Sequence, residues 1–279
     1  MKIEEAITLF GYHQRSNHKL RTIQSYRPIL QKIQTRFAGR SFDAVGADEI
    51  YQFLEAMTEG QSKSTRRLRF AQFKAFYNFL IEKADVNMRN PCDAPILAKA
   101  FKTPKQVARK VLDRETVEEL IYNAENLRDR LILELQARCG LRIGESLKIT
   151  VKDVSDRKLT LQGPKSGKES EVAFMPEQIA KRLHDYIQQE NLSPEDRLFP
   201  ICYSTARTAI RRIGKRLNVV LTPHDLRRYS ATHASRNGIP LEIVSKVILR
   251  HQDLKTTQAY LGRISEVEAI RWMDVLHGR

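Results

Sequence analysis

The chain has 279 residues, 48 of them Lys or Arg against 33 Asp or Glu, which gives a net charge of +15 at neutral pH. That length accommodates one large or two smaller domains. A positive field of this size attracts polyanions, of which nucleic acid is the commonest in a cell. No run of about eighteen apolar residues occurs, and the opening MKIEEAITLFGYHQR is acidic and then mixed, so neither a membrane span nor a secretory signal is expected. Cys92, Cys139 and Cys202 stand far apart, without the CxxC or Cys/His spacing that holds a metal, and read as reduced thiols of a cytoplasmic protein.

In chain order, the first elements are helices. TIQSYRPILQKIQTRF repeats apolar residues at Ile23, Tyr26, Leu30, Ile33 and Phe37, and ADEIYQFLEAM repeats them at Ile50, Phe53, Leu54 and Met57. In STRRLRFAQFKAFYNFLIEK the residues Leu68, Phe73, Phe76, Tyr77 and Leu80 form a third stripe, with Arg66, Arg67, Arg69 and Lys74 largely off it. Residues 1–112 carry 20 basic and 10 acidic side chains, and residues 113–279 carry 28 and 23, so the first part is the more basic per residue. We therefore expect a helical domain at 1–85 and a linker at 86–112. In that linker NPCDAP and KTPKQVARK bring prolines and charge without an apolar stripe.

A second domain is expected over 113–279. VLDRETVEELI has a helix start, with Asp113 as cap and Leu112 placed to staple onto Val117. The helical pattern runs on to QARCGLRIGESLKI and breaks at Gly140. RKLTLQ and ESEVAF alternate polar and apolar residues around GPKSGK, the pattern of an antiparallel hairpin. Helices resume in PEQIAKRLHDYI, STARTAIRRIGKRL, TPHDLRRYSATHA and PLEIVSKVIL. In the third of these Thr222 caps, Pro223 takes the first helical position, and His224 and Arg227 share a face near the helix N-terminus, where an anion is favoured.

CGLRIGESLKI, GPKSGKESEV, PHDLRRYSATH and LRHQDLKTTQAYL follow one another through this domain, and together they resemble the tyrosine recombinase family, the phage integrases and Xer-like enzymes. Singly, each of these residues has an ordinary reading as a core tyrosine, a solvated arginine or a turn lysine. The resemblance implies a mainly α fold: an N-terminal helical core-binding domain and an α+β catalytic domain with a small antiparallel sheet. It also implies a catalytic set of Arg142, Lys165, His224, Arg227, His251 and the nucleophile Tyr260, with Glu145 supporting the arginines and Lys168 as the alternative hairpin lysine. One position departs from the pattern, because Arg250 precedes His251 where the family commonly has glycine.

The implied chemistry suits these residue types. A phosphodiester attacked in line gains charge on its nonbridging oxygens, which planar two-toothed guanidinium donors match, so no metal and no other cofactor is expected. His251 would add a donated hydrogen bond. A phenol of pKa about 10 needs a cationic pocket and a proton acceptor, here His224, and the departing deoxyribose oxygen needs an acid, here Lys165. The implied product is a 3′-phosphotyrosine. The implied partners are double-stranded DNA and further copies of the chain in a tetramer, with the stretch after Tyr260 packing on a neighbouring protomer or on its own domain. A type IB topoisomerase-like enzyme and a non-catalytic DNA-binding protein derived from an integrase are the competing readings.

Overall fold

A computed structural model describes residues 1–103, 111–163, 169–261, 270 and 272–275, with the backbone alone at Ala259 and Tyr260. The chain divides into two units, Met1–Val107 and Ala108–Arg279. Among the described residues no helix is long and apolar enough to cross a membrane.

The first unit contains α1 (Ile3–Asn17), α2 (Leu20–Arg36), α3 (Ala47–Met57), α4 (Lys63–Ala84) and α5 (Pro95–Ala100). The expected stripes hold with two rotations. In α2 the innermost residues are Ile29 and Ile33, while Tyr26 and Leu30 flank the core. In α4 Leu68 is 47% exposed and Phe70 is buried in its place. The second rotation has a visible cause, because Phe70 stacks on Phe101 with centroids 5.5 Å apart.

Phe101 belongs to the stretch expected to lack an apolar face. Cys92, Leu97 and Phe101 are all buried in the first unit's core, and Lys74 of α4 pairs with Asp93. The prolines there begin helical turns: Pro91 opens a 3-10 turn capped by the Asn90 side chain, and Pro95 opens α5. A proline at the first helical position gives up an N–H that had no partner anyway.

The second unit is built round α7 (Leu127–Ala137), where Leu131 to Ala137 are buried on every side. Such all-round burial marks a helix enclosed by others. It packs against α6 (Arg114–Tyr122), α9 (Glu177–Gln189), α10 (Tyr203–Arg216) and α11 (Pro223–Arg236). Asp113 caps α6 as expected, accepting from the Thr116 N–H at 2.7 Å. At the start of α11 the Asp225 carboxylate accepts from both the N–H and the hydroxyl of Thr222 (2.9 and 2.6 Å).

Strands β1 (Val154–Ser155), β2 (Lys158–Gln162) and β3 (Ser170–Phe174) form one antiparallel sheet, in which Leu159 opposes Ala173 on the buried face. The hairpin was legible in the sequence, whereas β1 was not. After α11 come α12 (Leu241–Ile243), a π-helical turn over Val244–Ile248, and α13 (Leu254–Leu261), which packs against α11.

Candidate active site

Two turns with the same backbone device frame the site. After α7, Gly140 takes φ +62° and the next N–H, that of Leu141, returns to the Leu135 carbonyl at 3.1 Å. After the π turn, Arg250 takes φ +51° and the His251 N–H returns to the Ser245 carbonyl at 2.9 Å. At Gly140 a side chain is excluded, since a Cβ would lie 2.7 Å from the Ile248 carbonyl oxygen. At Arg250 the left-handed backbone is adopted by a residue with a full side chain, at a cost of about 1–3 kcal/mol. This is the departure from the family pattern seen in the sequence: Arg250 takes here the positive φ that glycine adopts most readily.

Arg142 follows the first turn and opens the one-turn helix α8 (Ile143–Ser146). Glu145 accepts from the Arg142 N–H at 2.8 Å and from its Nη1 at 2.5 Å. Its carboxylate is also met by Arg250 Nη2 at 3.1 Å and by Arg227 Nη1 at 4.0 Å. Burial pushes the Glu145 carboxyl up, but Arg250, then the Arg142 N–H and guanidinium, outweigh it and hold the group below the usual carboxylate range. Glu145 therefore stays ionised as the shared counterion of three guanidinium groups.

The helix α11 places His224 and Arg227 one turn apart with opposite burial. His224 is exposed, and Arg227 is fully buried, donating through Nη1 to the Gly140 carbonyl and through Nη2 to that of Leu249. Arg227 thus fastens the two framing turns to each other from below. Arg142, with 29% of its side chain exposed, is the more open of the two expected arginines.

Burial, and then the cations Arg227, Arg142 and Arg250, depress the His251 pKa from 6.5 to about 4, so the imidazole is neutral near pH 7. Its Nδ1 lies 2.9 Å from the Thr257 hydroxyl, which donates to the Ser245 hydroxyl at 2.8 Å. With the threonine hydrogen directed to Ser245, the Thr257 oxygen is placed to accept from Nδ1–H of the neutral ring, and this relay orients the imidazole.

Tyr260 lies in α13 one turn beyond the buried Thr257, and its side chain is outside the described residues. Lys165 and Lys168 also lie outside them, between β2 and β3. Of the tail, Ile270, Trp272 and Val275 are exposed, while Ile264 and Val267 are outside the described residues.

Sequence reasoning did not find Thr257, Ser245 or Glu171 as parts of this neighbourhood. Only the placing of Thr257 three residues before Tyr260, on one helical face, was available as a signal.

Residues 110–267 match the model of the phage integrase family, and residues 8–84 match that of the phage integrase N-terminal SAM-like domain. The tyrosine recombinase XerA of Pyrococcus horikoshii is 27% identical over 252 residues, covering 86% of this chain and 82% of that one. XerA of Saccharolobus solfataricus is 32% identical over 153 residues, which are 54% of this chain and about half (51%) of that relative. Among solved structures, the integrase of the Tn1549 transposon in complex with transposon right end DNA shares the fold over the whole of both chains, at TM-score 0.77 and 16% identity. The chain belongs to the phage integrase family, the tyrosine recombinases, and its class of reaction is site-specific recombination.

Proposed function

We propose that the protein cuts and rejoins double-stranded DNA through a covalent 3′-phosphotyrosine on Tyr260, acting in the cytoplasm as a tetramer on two DNA sites. The observation that carries this reading is the guanidinium cluster on Glu145, which gathers Arg142 and Arg227 from separate segments beside His251. Arg142 offers its exposed donors to a nonbridging oxygen. Arg227 adds a second guanidinium charge, held in place by its two carbonyl bonds.

In the proposed step Tyr260 Oη bonds to phosphorus as the bond from phosphorus to the 5′ oxygen breaks. The phenolic proton passes to His224, and Lys165 protonates the departing 5′ oxygen. The phosphotyrosine keeps the energy of the broken ester, so an incoming 5′ hydroxyl can reverse the step without ATP. A phosphate oxygen arriving beside His251 Nε2 supplies the negative charge that draws a proton there, after which His251 donates as the family pattern implies. The basic first unit grips the DNA backbone outside the cleavage point, and the second unit carries the chemistry.

Covalent trapping tests this. Incubated with a pool of nicked duplexes, the wild-type protein is expected to form DNA adducts that resist denaturation, and Tyr260→Phe to form none. Adducts on Tyr260→Phe would remove the nucleophile assignment. Absence of adducts with the wild type would favour the non-catalytic reading, and relaxation of a plasmid lacking paired sites would favour the topoisomerase.

A further inference from the structure

Arg250 has no role in the chemistry above, yet its guanidinium is more deeply buried than that of Arg142, with 4% of the side chain exposed against 29%. It donates through Nη1 to the Ile248 carbonyl at 2.8 Å and through Nη2 to the Gly140 carbonyl at 3.2 Å, and the same Nη2 meets Glu145 at 3.1 Å. On its other side Nε faces Glu171 Oε2 of β3 at 3.9 Å, and neither atom has a hydrogen bond among the described residues. Glu171 is itself 91% buried at its side chain.

Glu145 also meets Arg142 and Arg227, but among the described residues the cation paired with the buried Glu171 is Arg250, and removing it would leave that carboxylate without this partner. Leaving a buried charge without its partner is strongly unfavourable. The backbone strain at φ +51° is borne by Arg250 where a glycine would relieve it, so the side chain offsets that strain by what it holds.

We infer that Arg250 is a positioning residue: placed between Glu145 and Glu171, its guanidinium holds the Arg142 turn, the His251 turn and strand β3 in one fixed arrangement. It acts through Arg142 and His251 and need not touch DNA. The inference rests on the recombinase reading for its effect on rate, but its structural half stands independently.

Arg250→Gly is the decisive variant, because it removes the guanidinium while easing the backbone. On a nicked duplex carrying the sequence recovered from wild-type adducts, the adduct-forming rate at saturating DNA is expected to fall about a hundredfold, as for a small displacement of catalytic groups. DNA affinity should stay within about threefold, since no phosphate contact is removed. Arg250→Lys should recover part of the rate by restoring the charge. Glu171→Gln should lose less than Arg250→Gly and add nothing when combined with it, the sign of two residues acting as one unit.

Amide exchange without DNA reads the other half: protection of the Leu141 and His251 N–H groups should drop in Arg250→Gly. Retained protection at both amides, or a rate within twofold of wild type, would overturn the inference. A wild type that forms no adduct would instead remove the recombinase reading and leave the exchange result to decide the tether. If Arg250→Gly proved unfolded, Arg250→Lys against Glu171→Gln would make the same comparison.

Discussion

The interior of the first unit is aromatic and uncharged, and that of the second is aliphatic and threaded with charge. In the first, Phe10 meets Phe76 edge-on at 5.3 Å, Phe53 meets Phe73 at 5.5 Å, and Phe73 stacks on Tyr77 at 5.3 Å. Its buried polar side chains are the neutral Gln14, Thr58, Gln72 and Asn90. In the second, Asp129, Glu134, Asp153, Arg227 and Arg250 are all at or below 6% exposure. Part of this is support for the scaffold, as where Glu134 of α7 pairs with Arg182 of α9 at 3.0 Å. Arg227 and Arg250 instead converge with Arg142 on Glu145. Buried charge costs stability, and it collects where pre-set electrostatics are required.

If that contrast is correct, substitutions in the two interiors should separate stability from chemistry. Arg227→Met should have the largest effect. It takes one of two donors from the Gly140 carbonyl and the Arg227 donor from that of Leu249, and it removes the guanidinium proposed to meet the phosphate, so adduct formation should fall by about a hundredfold or more and stability by about 3 kcal/mol. Phe76→Ala should cost the first unit about 3–5 kcal/mol, read as a lowered unfolding transition, because a fully buried ring is lost. Its adduct-forming rate at saturating DNA, below that transition, should match wild type. A comparable drop in rate for Phe76→Ala would break the contrast.

A smaller effect sharpens it within the second unit. Gly140→Ala retains every charge but puts a Cβ against the Ile248 carbonyl and a left-handed backbone under strain, at a cost of about 1–3 kcal/mol. Gly39, at φ +71° in the first unit, has nothing within 4 Å of its Cβ position, so Gly39→Ala should cost less. Urea unfolding of the two variants gives the comparison directly. Equal losses would mean that conformation alone, without the close approach of the two turns, sets the cost at Gly140.

What was legible in the sequence was local. Asp113 and Thr222 announced their helices because a cap acts over three residues, and the hairpin strands announced themselves by alternation. Pro91 and Pro95 were read as breakers because a proline that starts a helix and one that ends it look alike until the following residues are known to be buried. Arg142, Arg227 and His251 were reachable through the family pattern, whereas Glu171, Ser245 and Thr257 were not. Their pairings with Arg250 and His251 span up to 79 residues of chain or depend on a π turn, and no local periodicity encodes either.

A further effect concerns His251 and pH. Its folded pKa, about 4, lies below the ordinary 6.5 because burial and then three neighbouring cations oppose a charged imidazole. Between these values the unfolded chain binds the proton more readily than the native state does, so the native state loses stability as pH falls from 6.5 towards 4, and this loss is absent above 6.5. His251→Asn does not titrate and should flatten that part of the stability curve, and all other titrating groups are common to both proteins. Urea midpoints measured from pH 7 down to pH 4.5 should therefore converge as the medium becomes acidic, the wild type falling faster than the variant. Parallel curves would mean that the ring is solvated and outside the field of Arg142, Arg227 and Arg250, and the charged interior of the second unit would then end short of the π turn.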